Sequence, residues 1–266
     1  DQRLPIVPQK IPNCYTSYMR LRLSEITFPT SIEVTEQTVD ISYLTDIQKQ
    51  FYINLLHELI ALYSSQSKKR MVVGFAGPSG SGKSSMVEII RELSQMAQLP
   101  FRIETLGIDA YTYSDNYLLS HFDGDIALKH FKGRSDTYNV EKLETDLSSF
   151  ALGKKVTLPT YSRKIHNPIE NVTKIEEERT LLLVEGLWLL YDKNNWDSIL
   201  KMLDYSFFIS ANKDKVKDLT IKRHIRGGRS QVDALHYYET VDAKNFEEVI
   251  PTKEKANKVI LSFSDL

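Results

Sequence analysis

Gly77-Pro78-Ser79-Gly80-Ser81-Gly82-Lys83-Ser84 decides how this chain is read, because it fits G-x-x-x-x-G-K-[ST] at every fixed position. The stretch before it, Met71-Val72-Val73-Gly74-Phe75-Ala76, is the short apolar run of a buried parallel strand. After it, Ser85 to Gln95 predicts a helix with Met86, Ile89, Ile90 and Leu93 on one side. A strand, a glycine loop and a helix in that order form an anion cradle: successive backbone N–H groups turn inward, and the positive end of the helix dipole adds to their field. The expected ligand is a nucleoside triphosphate, contacted by Gly77, Pro78, Ser79, Gly80, Ser81, Gly82, Lys83, Ser84 and Ser85. Lys83 is expected to reach the β- and γ-phosphates, and the Ser84 hydroxyl to ligate Mg²⁺.

From residue 71 onward strand and helix patterns alternate. Arg102 to Gly107, Thr180 to Val184, Tyr205 to Ile209 and Lys258 to Phe263 are expected strands, and Val140 to Leu152 and Lys213 to His224 expected helices. That alternation predicts an α/β fold, a P-loop NTPase-type parallel sheet sandwiched by helices, with ligands at the carboxyl ends of the strands.

Residues 1–66 are expected to form an α+β N-terminal extension, and residues 67–266 the nucleotide-binding domain with its lid. Pro5, Pro8 and Pro12 suggest an extended arm. Met19, Leu21 and Leu23 alternate with arginines, and Ile32 and Val34 with Glu33 and Thr35, as in two or three short strands. Thr45-Asp46-Ile47-Gln48 is a capping-box pattern opening a helix to about residue 64, with Ile47, Phe51, Leu55, Leu59, Leu62 and Tyr63 at helical spacing.

Bulk composition narrows the function classes. The 266 residues are 41% hydrophobic, enough for a sizeable core, and 34 Lys and Arg against 35 Asp and Glu give no general attraction to nucleic acid or anionic membrane. With one cysteine, Cys14, an internal disulfide and a cysteine metal cluster are excluded, which fits a cytoplasmic location. No apolar run reaches the ~20 residues of a membrane span. Asn171-Val172-Thr173 matches the glycosylation pattern and is read as accidental in that setting. Neither a nucleic-acid nor a membrane partner is expected, and a homo-oligomer is left open.

Three further features carry chemistry. Leu181-Leu182-Leu183-Val184-Glu185-Gly186 ends an apolar strand in a carboxylate, where a P-loop protein keeps its second acid for Mg²⁺. Asp109 follows the strand ending at Gly107, in position to accept a hydroxyl proton during phosphoryl transfer; the alternative is a helix cap. Arg223, Arg226 and Arg229, around Gly227-Gly228, can close over a triphosphate, or simply complement a helix end.

Taken in order, Gly77 to Ser84, Leu106 to Tyr111, Leu158-Pro159-Thr160-Tyr161-Ser162, His166, Val184-Glu185-Gly186, Arg223-x-x-Arg226-Gly-Gly-Arg229 and Phe246 to Lys253 resemble the uridine kinase, phosphoribulokinase and bacterial pantothenate kinase family over about residues 70 to 261. The resemblance implies transfer of the γ-phosphate of ATP to a hydroxyl of a small metabolite. Asp109 then takes the place of the base and Ser84 and Glu185 of the Mg²⁺ ligands, Arg223 contacts the nucleotide, and Lys83, Arg226 and Arg229 serve the transfer. Tyr161 and His166 fall where uridine kinases contact the nucleoside, and Tyr111 and Asp136 complete the expected substrate contacts. Uridine kinases hold the ribose with an aspartate where this chain has Gly133, and Lys132-Gly133 to Tyr138-Asn139-Val140 is closer to pantothenate kinases. A nucleoside acceptor is slightly favoured over a pantothenate-, sugar- or glycerate-type one. A non-catalytic ATP-binding regulator is the competing class, separated by whether Asp109 acts as a base. A GTPase-like switch is disfavoured because no Asn-Lys-x-Asp segment is found.

Overall fold

The computed structural model describes residues 26–176 and 178–262. Its centre is a five-stranded parallel sheet in the order β11-β10-β3-β9-β4, formed by β3 (Arg70–Ala76), β4 (Arg102–Gly107), β9 (Thr180–Gly186), β10 (Tyr205–Ser210) and β11 (Lys258–Leu261). The buried strands β3 and β9 lie side by side in register, Phe75 opposite Glu185 and Ala76 opposite Gly186, so the glycine loop and the acid leave the sheet at one edge. This is the parallel α/β arrangement that the alternation of apolar runs implies.

Alternate residues of each strand feed two cores, as the two-residue period of a strand requires. On one face Met71, Val73, Phe75, Leu181 and Leu183 pack with α2 (Lys83–Met96) and α1 (Asp46–Ser64). On the other, Val72, Ala76, Leu182 and Val184 pack with α4 (Val140–Ala151) and α5 (Trp196–Met202). Helix α1 starts in the expected capping box: the Gln48 N–H donates to Thr45 Oγ1 at 3.3 Å, and the Thr45 N–H to Gln48 Oε1 at 3.0 Å. Its Tyr52, Leu56, Leu59 and Tyr63 are fully buried. Before it, β1 (Ser31–Val34) and β2 (Gln37–Asp40) form an antiparallel hairpin whose Ile32 and Val34 join the same core. The expected strand at Met19 to Leu23 and the proline-rich arm lie outside the described residues.

Between the sheet strands the chain inserts α3 (Asp115–Ser120), a two-strand ribbon of β5 (Phe122–Asp123) and β6 (Ile126–Ala127), and a long hairpin of β7 (Val156–Ser162) and β8 (Asn167–Ile175). Pro159 sits where the β7–β8 register shifts, a bulge that tolerates its missing N–H. After β10 come α6 (Lys213–Arg226), α7 (Gln231–Tyr237) and α8 (Ala243–Val249). Among the described residues no helix is long and apolar enough to cross a membrane.

Candidate active site

The carboxyl edge of the sheet opens into a cleft of about 690 Å³. At one end it meets the loop between β3 and α2 at Ser79. Gly80 adopts φ 79°, and a Cβ there would stand 2.7 Å from Thr220 Oγ1, so this turn of the cradle admits only glycine against α6. Lys83 is buried and its Nζ donates to the Pro78 carbonyl at 2.8 Å, bridging the loop from end to start. Burial pushes the ammonium down to about 8, against the pull of the Glu185 charge. Ser81 Oγ is buried with no hydrogen-bond partner among the described residues. A cradle of this shape, with a desolvated cation and an unanswered hydroxyl, fits a bound polyphosphate.

Ser84 Oγ donates to Glu185 Oε1 at 2.8 Å, which joins the two expected Mg²⁺ ligands directly. Burial raises the Glu185 pKa, with Lys83 opposing it. Two oxygen ligands suit Mg²⁺, which commonly takes one or two protein groups and completes its octahedron with phosphate and water. The residues present therefore fit a Mg²⁺-nucleotide.

Asp109 stands in a 3-10 turn (Ile108–Tyr111) directly after β4 and lines the cleft. The buried Tyr138 hydroxyl donates to its Oδ1 at 3.2 Å, and burial followed by the Asp109 charge raises the Tyr138 pKa, keeping it a donor. This orients the carboxylate and leaves its other oxygen for a ligand proton. Ser79, Tyr161, His166, Arg223, Arg226 and Arg229 line the same cleft. Arg223 donates to the Ser79 hydroxyl, and Arg229 stacks on Tyr237, its guanidinium carbon 3.7 Å from the ring centre. Asp242 accepts from His224 Nε2 at 2.8 Å and lies 4.0 Å from Arg223, tying α6 to the segment after α7.

Two expected substrate contacts need correction. Tyr111 is buried in the core, its hydroxyl donating to Asp146 at 2.9 Å, and it does not line the cleft. Asp136 is held by Arg134 Nε and Nη2, each at 2.7 Å, and also lies off the cleft. Gly133 does line it, with nothing within 4 Å of where a Cβ would be, and its carbonyl accepts from Trp188 Nε1 and Asn245 Nδ2, each at 3.1 Å. Residues that sequence reasoning missed stand beside these: Arg163 in the β7–β8 turn, Lys129 and Lys132 sharing the Asp115 carboxylate, and Gln37 of the N-terminal hairpin. Only Arg163 had a usable signal, its place two residues after Tyr161.

The chain belongs to the phosphoribulokinase/uridine kinase family, whose model matches residues 72–265. It is thus a P-loop kinase of the group that acts on small molecules. It is 33% identical over 207 residues to the uncharacterized protein YggC of Escherichia coli (strain K12), covering 77% of this chain and 84% of that one. It is 28% identical over 206 residues to a uridine kinase of Clostridium perfringens, covering 73% and 92%. Its fold is similar to that of a D-glycerate 3-kinase from Cryptococcus neoformans, with a TM-score of 0.60 at 16% identity, covering 82% of this chain and 96% of that one.

Proposed function

We propose that this chain transfers the γ-phosphoryl group of ATP to a hydroxyl of a small metabolite, with Asp109 as the base. The observation that carries the reading is Asp109 itself: a carboxylate oriented by Tyr138 in the cleft that the phosphate loop also borders, where a mere nucleotide binder has no use for it. Bound ATP supplies the phosphoryl group, and Ser84 and Glu185 would hold a Mg²⁺ that would neutralise phosphate charge. Lys83 gives up its Pro78 carbonyl for phosphate oxygens, and the loop amides hold the same anion. Asp109 takes the proton as the acceptor oxygen attacks phosphorus and ADP departs. Arg223, Arg226 and Arg229 face the charge that spreads over the transferring group and exclude water as they close.

The acceptor is not a nucleoside by this reading. Gly133 offers no carboxylate to a ribose, and Asp136 is turned away into its pair with Arg134. A coupled ADP-release assay over uridine, cytidine, ribulose 5-phosphate, pantothenate and D-glycerate tests both parts. Turnover with one acceptor that falls in Asp109→Asn supports the kinase reading, whereas nucleotide binding without turnover on any hydroxyl compound leaves a regulator.

A further inference from the structure

The turn of the N-terminal hairpin is built from residues that suit it badly. Thr35 and Glu36 both take positive φ, 44° and 63°, joining β1 to β2 in two residues. Such a turn favours Asn-Gly, and a β-branched threonine is an outlier there. Strain of this kind is kept where the side chains are needed elsewhere. Both side chains reach across to the β7–β8 hairpin: Thr35 Oγ1 accepts from Arg163 Nε at 2.6 Å, and Glu36 Oε2 accepts from Ser162 Oγ at 2.6 Å.

Arg163 is the group so fixed. Among the described residues no carboxylate forms an ion pair with it, and it lines the cleft with Asp109, Tyr161 and His166. Burial, and next the charge of Arg223, press its pKa below the ordinary arginine value, against the pull of Asp109 and Glu185. Nearby, Asp115 alone answers both Lys129 and Lys132, and Lys164 also lines the cleft. With Arg163, Lys164, Lys129 and Lys132 against Asp109 and Asp115, that wall is positive in a chain whose formal net charge is −1. A half-buried guanidinium whose one hydrogen bond goes to a neutral hydroxyl is costly unless a ligand supplies the anion.

We propose that the phosphate acceptor carries an anionic group, a carboxylate or phosphate, received by Arg163, and that the N-terminal hairpin positions this arginine through Thr35. The inference rests on the kinase reading for the word acceptor. Arg163 stands on the hairpin that carries Tyr161 and His166 and shares the cleft with both Asp109 and Arg223, so a phosphate loop already filled with nucleotide separates an acceptor's anion from a nucleotide phosphate. Thr35 is a positioning residue, and Arg163 the one that meets the anion.

The test uses the full chain saturated with Mg²⁺ and a non-hydrolysable ATP analogue, which fills the phosphate loop. Calorimetric titrations compare D-glycerate, pantothenate, ribulose 5-phosphate and inorganic phosphate with glycerol, panthenol, ribulose and uridine. At least one anion binds the wild type and its neutral counterpart does not; Arg163→Gln weakens that anion by about 10- to 100-fold and leaves the nucleotide affinity within twofold. The double variant Thr35→Asn/Glu36→Gly melts at a higher temperature, its turn relaxed, yet binds the anion roughly 3- to 10-fold more weakly, while Thr35→Ser keeps wild-type affinity. Neutral probes that bind as well as anions, no anion bound by the wild type, or a loss in Arg163→Gln confined to the nucleotide each overturn the anion site. Unchanged anion affinity in the double variant overturns the hairpin's part. If the ATP analogue does not bind, the kinase reading falls instead, and the same titrations without nucleotide still decide whether Arg163 holds an anion.

Discussion

Lys83 illustrates how a functional residue can oppose stability. Its ammonium is desolvated, hydrogen-bonded to the Pro78 carbonyl and only partly offset by the Glu185 and Asp109 charges, so its charge costs the fold energy that a bound polyphosphate would return. Lys83→Ala should abolish ATP turnover, since the loop dipoles alone do not replace a point charge on the β- and γ-phosphates, while the melting temperature stays level or rises. Turnover at the wild-type rate would remove the loop from the chemistry. Asp109→Asn should lower the rate with acceptor by about 10²- to 10⁴-fold with little change in nucleotide affinity, because the amide still accepts from Tyr138 but takes no proton. Equal rates for the two proteins would reduce Asp109 to a turn residue. Lys83 stands out in the sequence through the fixed spacing of its glycine loop, and Asp109 and Glu185 because each stands just past or near the end of an apolar strand. Tyr111 is not legible in this way, because in a 3-10 turn of three residues a revolution, positions two apart face different ways: Asp109 faces the cleft and Tyr111 the core.

Among the elements, β3, α2, β4 and β9 are written plainly in their apolar runs and helical spacing, and so the nucleotide side of the cleft could be read before any coordinates. The acceptor side could not. Strand β7 hides behind Pro159, whose bulge breaks the alternation, and β8 is mostly polar and exposed, carrying little periodic signal. The contact from Thr35 to Arg163 spans 128 residues, beyond any local pattern. The lid lies between these extremes, since α6 runs to Arg226, two residues past the expected His224, and Gly228 takes φ 95°. Among its fastenings are Arg223 on Ser79, His224 on Asp242 and Arg229 on Tyr237, and two of these three use the side chains expected to turn toward phosphate. Hydrogen exchange over residues 220–235 should therefore slow when a non-hydrolysable ATP analogue with Mg²⁺ is added. Neutral substitutions at Arg226 or Arg229 should lower turnover more than nucleotide affinity. Unchanged exchange at saturation would return these arginines to the role of a positively charged helix end.

For the molecule as a whole, the first strands and helix are not hung on the outside of the kinase sheet. Ile32, Val34, Tyr52, Leu56, Leu59 and Tyr63 belong to the core that holds Met71, Val73 and Phe75 of β3 and Met86, Ile90 and Leu93 of α2. Were α1 absent, the outer side of α2 would present that apolar surface to water, and the hairpin that steadies Arg163 would have no platform. Sequence composition separates residues 1–66 at the polar run before β3, but a polar linker marks where the chain crosses the surface, not where a core ends. Leu59→Ala removes most of a fully buried side chain between α1 and its neighbours, and should cost about 2–5 kcal/mol. If the core is shared, denaturant unfolding followed by tryptophan fluorescence and by far-ultraviolet circular dichroism should move together in this variant as one transition, because Trp188 and Trp196 lie in the core on the opposite face of the sheet. A chain beginning at residue 67 should be insoluble or bind the dye ANS through its exposed α2 face. A truncated protein that melts like the full chain, or a Leu59→Ala variant in which the tryptophan signal does not shift, would show that α1 and the hairpin form a separable unit and that the sheet is stable without them.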